Sequence, residues 1–381
     1  MPNDSVAGPL VTAPEASYLE PWQGQANSVP AQALSHPAVL SSVTTSELQF
    51  ERAVIAKYRP MAPQQHRYKK EEQAQRGQAL HEPQFRQQVK AGHKSDGGGR
   101  VLPPVLRAPP GYRAQSEDCS VAADLLDFWL LRQRSPTERL EMGAAMMRGA
   151  RQMSLEAQQQ QHPDLSSEAF AQHIARCWLQ EDYPIGYVPS GYEMTWIQDS
   201  GSLAAQLHQI FERLNTPYFI TGGLAAIAWG EPRTTRDVGI VLAVQPTEIR
   251  PVVTALESAG FYVPGVEDVI SGRLKTLQIT HMETISRADL IIASDEDQAL
   301  FQRRRSLSFS GTGNLYFASP EDVVLNKLRW GQQSRSEKQW RDVLGILKTQ
   351  SRLDLVYLRQ RAAETDVTDD LERALVEAGV C

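Results

Sequence analysis

Cysteine is scarce in this chain: 381 residues contain three, Cys119, Cys177 and Cys381. They lie too far apart for a metal-binding spacing or a disulfide framework, so a stapled secreted fold and a zinc module are excluded and each thiol is expected to be free and structural. Long hydrophobic runs are missing too. No stretch approaches the roughly 18 apolar residues of a membrane-spanning helix, and the first residues show neither the basic start nor the apolar core of a secretion signal. The expectation is a soluble, cytoplasmic protein with no membrane partner. What is present is 41% apolar residues in a length sufficient for about two domains and tails.

The net charge of −6 is unevenly spread. Lys and Arg outnumber acids between Glu51 and Ser116, whereas the rest of the chain is acidic. Residues 1–118 are rich in Pro, Gln, Ser and Gly and show neither helical nor strand periodicity apart from a possible short helix over Ser46 to Lys57. This span is expected to be a disordered tail, basic from residue 51. It is either a solvated arm or, with Tyr58, Tyr68, Phe85 and Tyr112 available for stacking, an arm that finds nucleic acid.

Residues 119–184 read as a small helical module. Val121 to Leu131 is its first helix. Ser135-Pro136-Thr137-Glu138 combines a capping Ser, a helix-starting Pro and a Glu at the third helical position, so a second helix begins there. Leu140, Ala144, Met147 and Ala150 give it an apolar stripe. Phe170, Ile174, Cys177 and Trp178 mark a third helix after the break at His162-Pro163. Met142, Met146, Met147 and Met153 belong to a core or an interface.

Residues 190–381 carry the chemistry. Tyr218 to Leu242 reads YFITGGLAAIAWGEPRTTRDVGIVL: an apolar strand, a double glycine, a helix, then Arg-Thr-Thr-Arg-Asp opening a second strand. Gly222 and Gly223 stand between strand and helix, where free backbone N–H groups meet an anion. Asp237 follows at the start of the next strand, a carboxylate able to hold a divalent metal. Two residues on, at the position that shares its strand face, is Gly239 and not a second acid. Helices over Ser202 to Leu214, Leu224 to Trp229 and Thr247 to Gly260 alternate with strands over Tyr218 to Thr221, Asp237 to Val244, Thr276 to His281 and Asp289 to Ala293. Helices then follow from Pro320, around Gln339 to Leu347, and over Leu353 to Ala363 and Thr368 to Glu377. This order predicts a mixed α/β sheet with packed and C-terminal helices, not a doubly wound one.

The motif resembles the minimal nucleotidyltransferase branch of the DNA polymerase beta-like superfamily, with a Gly-Gly pair, Asp-x-Asp and a third acid on a later strand. Asp237 matches the first acid, Gly239 stands in place of the second, and Asp289 in RADLIIAS matches the third. SPEDVVLNKLRW and QWRDVLGIL look like the C-terminal helices of abortive-infection-type bacterial transferase-like proteins. The module from SPTERLEMG to CWLQEDYP is similar to small helical proteins associated with such transferases, which makes it a candidate site for a protein partner.

The resemblance implies a nucleotidyltransferase-like fold in which Asp237 and Asp289 bind Mg²⁺ or Mn²⁺ and Gly222, Gly223, Arg233 and Arg236 contact the nucleotide. Lys327 and Asp342 then face the cleft from the C-terminal helices. Against each stands an ordinary reading: a turn acid, a surface acid beside Arg287, a loop arginine, a helix-surface lysine. Glu231 and His281 are possible substitutes for the missing carboxylate, and Trp330 and Trp340 are expected to pack. Two functions follow. One is a degenerate transferase that binds an NTP or a partner with weak or no transfer of NMP. The other is an active metal-dependent enzyme moving NMP from NTP to a protein or RNA hydroxyl.

Overall fold

The Ser286–Ile292 strand alternates buried and partly exposed residues along its whole length, whereas the Tyr218–Thr221 strand is buried at every position. The computed structural model describes residues 106–294, 297–309, 313–334 and 336–380, which all fall within one compact unit. The proposed helix at Ser46 to Lys57, the aromatic residues Tyr58, Tyr68 and Phe85, most of the basic arm, and Cys381 lie outside the described residues.

The first described elements are helices α1 (Val121–Arg132), α2 (Pro136–Gln161), α3 (Ser167–Leu179), the short α4 (Glu193–Trp196) and α5 (Ser200–Arg213). Then come β1 (Tyr218–Thr221), α6 (Gly222–Trp229), β2 (Asp237–Leu242), α7 (Arg250–Ser258), β3 (Phe261–Tyr262), α8 (Val266–Ile270), β4 (Thr276–His281) and β5 (Ser286–Ile292). The chain ends through α9 (Gln298–Arg303), β6 (Arg305–Phe309), β7 (Gly313–Phe317), α10 (Pro320–Ser334), α11 (Glu337–Thr349), α12 (Leu355–Glu364) and α13 (Thr368–Ala378).

The strands form one mixed seven-stranded sheet in the order β3-β4-β5-β2-β1-β7-β6. β1 is antiparallel to β2 and parallel to β7, while β2 is parallel to β5. On one face Val238, Ile240, Leu242, Ala288, Leu290, Leu277 and Ile279 are buried in the main core. The opposite face of β2 and β5 carries Asp237, Gly239, Arg287 and Asp289, as the two-residue period requires. β6 and β7 were not foreseen. RSLSF and GNLYF have no run of apolar residues, and only Leu315 and Phe317 of β7 are buried.

The expected capping box is present. Ser135 N–H donates to Glu138 at 2.6 Å and Glu138 N–H to Ser135 Oγ at 3.2 Å, satisfying two donors that a helix start leaves without partners. α2 is bound to the sheet layer: Arg139, nearly fully buried, donates from Nε to the Ala228 carbonyl of α6 at 3.0 Å, and Leu140 joins the main core. Met147 of the Met-rich stripe is buried, while Met146 and Met153 are exposed on the outer side of the same helix. Cys119 is half-buried and Cys177 exposed, both as free thiols.

Inside the span expected as tail, residues 106–118 are held by a buried ion pair. Lys348, fully buried on α11, meets Asp124 of α1 at 2.8 Å. Such a pair needs further hydrogen bonds to offset its desolvation, and the incoming chain supplies them. Tyr112 Oη donates to Asp124 at 2.6 Å, Gln115 N–H does so at 2.8 Å, and the Arg113 carbonyl accepts from Lys348. Among the described residues, no helix is long and apolar enough to cross a membrane.

Candidate functional site

The sheet register brings the two motif acids onto one face. In the parallel β2–β5 pair, Gly239 lies opposite Asp289 and Asp237 opposite Arg287. Thr221 is opposite Gly239 from the other side, and Gln278 opposite Asp289. Residues directly opposite one another share a face, so Thr221, Gly239, Asp289 and Gln278 cross the sheet as one row, with Asp237 and Arg287 in the next.

Arg287 governs the charge of this row. Its guanidinium donates to both carboxylate oxygens of Asp289, at 3.1 and 3.2 Å from Nη2 and 3.3 Å from Nε. It also pairs with Asp182, which sits in the single helical turn Gln180–Asp182 after α3. Burial works against the guanidinium's charge, but Asp289 and Asp182 outweigh it and raise Arg287 above its ordinary value. Asp289 is displaced upward: burial is the main cause, Asp237 and Asp182 add to it, and Arg287 only partly compensates.

This arrangement does not fit Mg²⁺. Both oxygens of Asp289 accept from the Arg287 guanidinium, whose positive charge repels a cation, and Gly239 supplies no side-chain oxygen. Among the described residues, no group of three or more His, Cys, Asp or Glu side chains is placed to hold a metal ion. A divalent cation needs carboxylate oxygens turned toward it, so one entering here competes with Arg287 for Asp289.

The two glycines have different reasons to be glycine. Gly222 has φ 66°, in the left-handed region, and opens α6 without a side-chain cap from Thr221. A Cβ on Gly223 would lie 2.3 Å from Thr235 Oγ1, so the missing side chain lets the helix start approach the loop that leads to Asp237. Gly239 has neither constraint. A Cβ there would meet nothing closer than Thr221 Cγ2 at 3.4 Å, an ordinary contact.

Arg233, Lys327 and Asp342 are brought together, chiefly with one another. Arg233 meets Asp342 through Nε and Nη2 at 2.7 Å each and gives Nη1 to the Thr234 carbonyl at 2.7 Å. Lys327 Nζ reaches the same carboxylate at 2.7 Å, and the Lys327 and Asp342 side chains are each only 5% exposed. Burial acts to raise Asp342, but the Arg233 hydrogen bonds and the Lys327 charge hold it below the usual carboxylate range. Burial depresses Lys327 despite that partner. The trio ties the 233 loop to α10 and α11, leaving none of the three Arg233 nitrogens without an acceptor.

Two of the cavities that border the site lie beside the motif residues. One, of about 340 Å³, is lined by Asp237, Arg236, Arg287, Asp182, Lys338 and Trp178 among others. The other, of about 140 Å³, lies between Gly222, Thr221, Lys327 and the half-exposed Trp330. Arg236 is exposed and donates to the Gln180 side-chain oxygen at 2.8 Å. Trp340 packs against the core and donates to Glu377 at 2.8 Å.

Neither proposed substitute acid reaches the row. Glu231 is bound by Arg341 at 2.9 Å and by Gln115. His281 pairs with Ser286 and lies three residues beyond Gln278, on the other face of β4. The residues that sequence reasoning missed are Arg287, Asp182 and Lys338. Arg287 had a signal, standing two residues before Asp289 on the same strand face. Asp182 had none, because only the tertiary fold returns the end of α3 to the sheet.

No family model matches this chain, and no curated protein matches it. Among solved structures it is similar to an antigenic nucleotidyltransferase-like protein from Paracoccidioides brasiliensis, at 20% identity over 46% of this chain and 92% of that one, with a TM-score of 0.33. It is also similar to the antibiotic-resistance factor ANT(2'')-Ia, at 16% identity over 45% of this chain and 96% of that one, TM-score 0.33. A third is the lincosamide antibiotic adenylyltransferase LnuA, at 17% identity over 38% and 94%, TM-score 0.28.

Proposed function

We propose that this chain is a degenerate nucleotidyltransferase-fold protein with weak or no NMP transfer, whose cleft binds a nucleotide or a partner. One observation carries the reading: the Arg287 guanidinium engages both oxygens of Asp289 beside a glycine at position 239. In-line attack at an α-phosphate builds negative charge that metal ions neutralise, and those ions need carboxylates free to bind them. Here an internal cation neutralises the acid instead. The alternative, an active enzyme transferring NMP from NTP to a protein or RNA hydroxyl, is favoured by Asp237 and Asp289 sharing one face of adjacent strands.

Incorporation of label from α-labelled NTPs, with Mg²⁺ or Mn²⁺, into the protein and into total RNA separates the two. The variants are Asp237→Ala, Gly239→Asp and Gly239→Asp combined with Arg287→Ala. The degenerate reading expects little or no transfer by wild type and a gain only when the carboxylate is restored and the guanidinium removed. Efficient transfer by wild type that Asp237→Ala abolishes establishes the active enzyme in its place.

A further inference from the structure

The 340 Å³ cavity beside Asp237 has a lining of two unlike kinds of residue. Met147 and Ala150 of α2, Trp178 of α3 and Ile285 form an apolar and aromatic side. The Trp178 indole is fixed by its Nε1–H to Ser154 Oγ at 3.0 Å and by the Arg151 guanidinium 4.8 Å from its ring centre. The same lining holds the cations Arg236, Arg287 and Lys338 and the acids Asp182 and Asp237. A site of this size holds a small molecule, with apolar walls for its body and a few polar groups for its orientation.

The cations are not balanced from within. Arg287 is committed to Asp289 and Asp182. Arg236, exposed at the mouth, donates only to the neutral Gln180 side chain among the described residues. Lys338 is likewise exposed and has neither a hydrogen bond nor an ion pair among the described residues. Although the residue as a whole is exposed, partial desolvation holds its amine below the ordinary lysine value, the Arg233 and Arg236 charges add to the effect, and Asp342 and Asp237 are outweighed. Repelled cations at an open mouth favour an anion there.

We propose that this cavity binds a nucleoside phosphate without a divalent cation, its base against Trp178 and its phosphates on Arg236 and Lys338. The inference rests on the reading of the protein as a nucleotide-binding degenerate transferase and adds the location, the contacts and the independence from metal. Metal is dispensable because the cations lining the cavity, Arg236, Arg287 and Lys338 among them, outnumber its acids Asp182 and Asp237. The helical end of α3 thereby becomes part of the ligand site, supplying both the aromatic wall and, through Asp182, the partner that holds Arg287 in place.

The test is calorimetric titration of the full chain with ATP in EDTA and again in Mg²⁺, with inorganic triphosphate as a second probe and thermal unfolding to verify that each variant is folded. ATP is expected to bind in EDTA with an affinity within about threefold of that in Mg²⁺, a difference of under one kcal/mol. Arg236→Ala with Lys338→Ala should weaken both probes by about tenfold or more, through lost charge-assisted contacts. Trp178→Leu should weaken ATP by about tenfold, the effect of one stacking platform, and leave triphosphate unchanged. Trp330→Ala, at the smaller cavity, should leave both unchanged. ATP binding that requires Mg²⁺, or that ignores the Arg236, Lys338 and Trp178 substitutions, overturns this site while leaving nucleotide binding by the protein standing. Failure of ATP to bind in either buffer overturns this proposal and the nucleotide-binding reading beneath it.

Discussion

Two arginine–aspartate contacts in this molecule have opposite characters. At Arg233–Asp342 both hydrogen bonds are 2.7 Å, Lys327 adds a third, and the carboxylate is 5% exposed and held below its ordinary range. At Arg287–Asp289 the bonds are 3.1 to 3.3 Å, the carboxylate side chain is 24% exposed, and its ionisation is displaced upward. The first is a joint, with two cations closing on one anion. The second is shared between carboxylates, with one guanidinium answering Asp182 and Asp289 while Asp237 stands by. A buried and satisfied ion pair holds elements together, whereas a less buried and unbalanced one is where a ligand has something to gain.

The largest effect separating them is on stability. Asp342→Ala leaves Arg233 and Lys327 buried without an anion, which costs about 3–5 kcal/mol, the usual penalty for breaking a buried pair from one side. Urea unfolding should show it as a large drop in midpoint. A loss under about 1 kcal/mol would place the trio among surface ion pairs and erase the contrast.

Arg287→Ala should cost less, about 1–3 kcal/mol, because Asp182 and Asp289 lose a hydrogen-bonding partner but keep some contact with water. The same unfolding measurement repeated with Mg²⁺ sharpens the comparison. Removal of the guanidinium should make the stability of the protein respond to Mg²⁺, and no such response is expected from Asp342→Ala.

Sequence periodicity found most of this architecture and missed the part that decides its chemistry. β1 and β4 have their expected limits, and the capping box at Ser135 and Glu138 is present, because local hydrogen bonds and two-residue alternation are written in neighbouring residues. β6 and β7 were illegible, since short serine- and glycine-bearing strands become strands only by pairing with one another and with β1. At the site, the acids Asp237 and Asp289 were visible as a pattern. That Lys327, Asp342 and Arg233 satisfy one another was not, because Arg233 meets Asp342 across 109 residues of sequence and Lys327 reaches it from the neighbouring helix. Charge partnership of this kind follows from the tertiary fold and leaves no local signature.

Titration distinguishes the two aspartates by sign. Asp342 is depressed in the folded state, so below its unfolded value the unfolded chain binds more protons; the stability it contributes is present above that value and lost as pH falls through the folded one. Asp289 is raised, so between the unfolded value and its higher folded one the native state binds more protons and stability declines as pH increases. Unfolding midpoints across the acid range should therefore lose their steep acid limb in Asp342→Asn. In Asp289→Asn the shallow decline toward neutral pH should disappear instead. Identical pH profiles for the two variants would contradict the difference in their surroundings.

The smallest stability effect belongs to Gly239→Asp, and its smallness is informative. Position 239 lacks the left-handed backbone that favours glycine, and a Cβ would meet only ordinary contacts, the nearest to Thr221 Cγ2 at 3.4 Å. The new carboxylate adds like charge beside Asp237 and Asp289, which Arg287 partly offsets, so a change within about 0.5 kcal/mol is expected in metal-free buffer. With Mg²⁺, Gly239→Asp combined with Arg287→Ala should gain more stability than Arg287→Ala alone, since a ligand that binds only the folded state shifts unfolding by mass action. A neutral substitution that acquires a metal response would mean that packing never required the glycine, and that the absence of a carboxylate is a chemical property of the site. A loss beyond about 2 kcal/mol would mean instead that the space between β1, β2 and β5 is needed empty, since overpacking carries costs of that order.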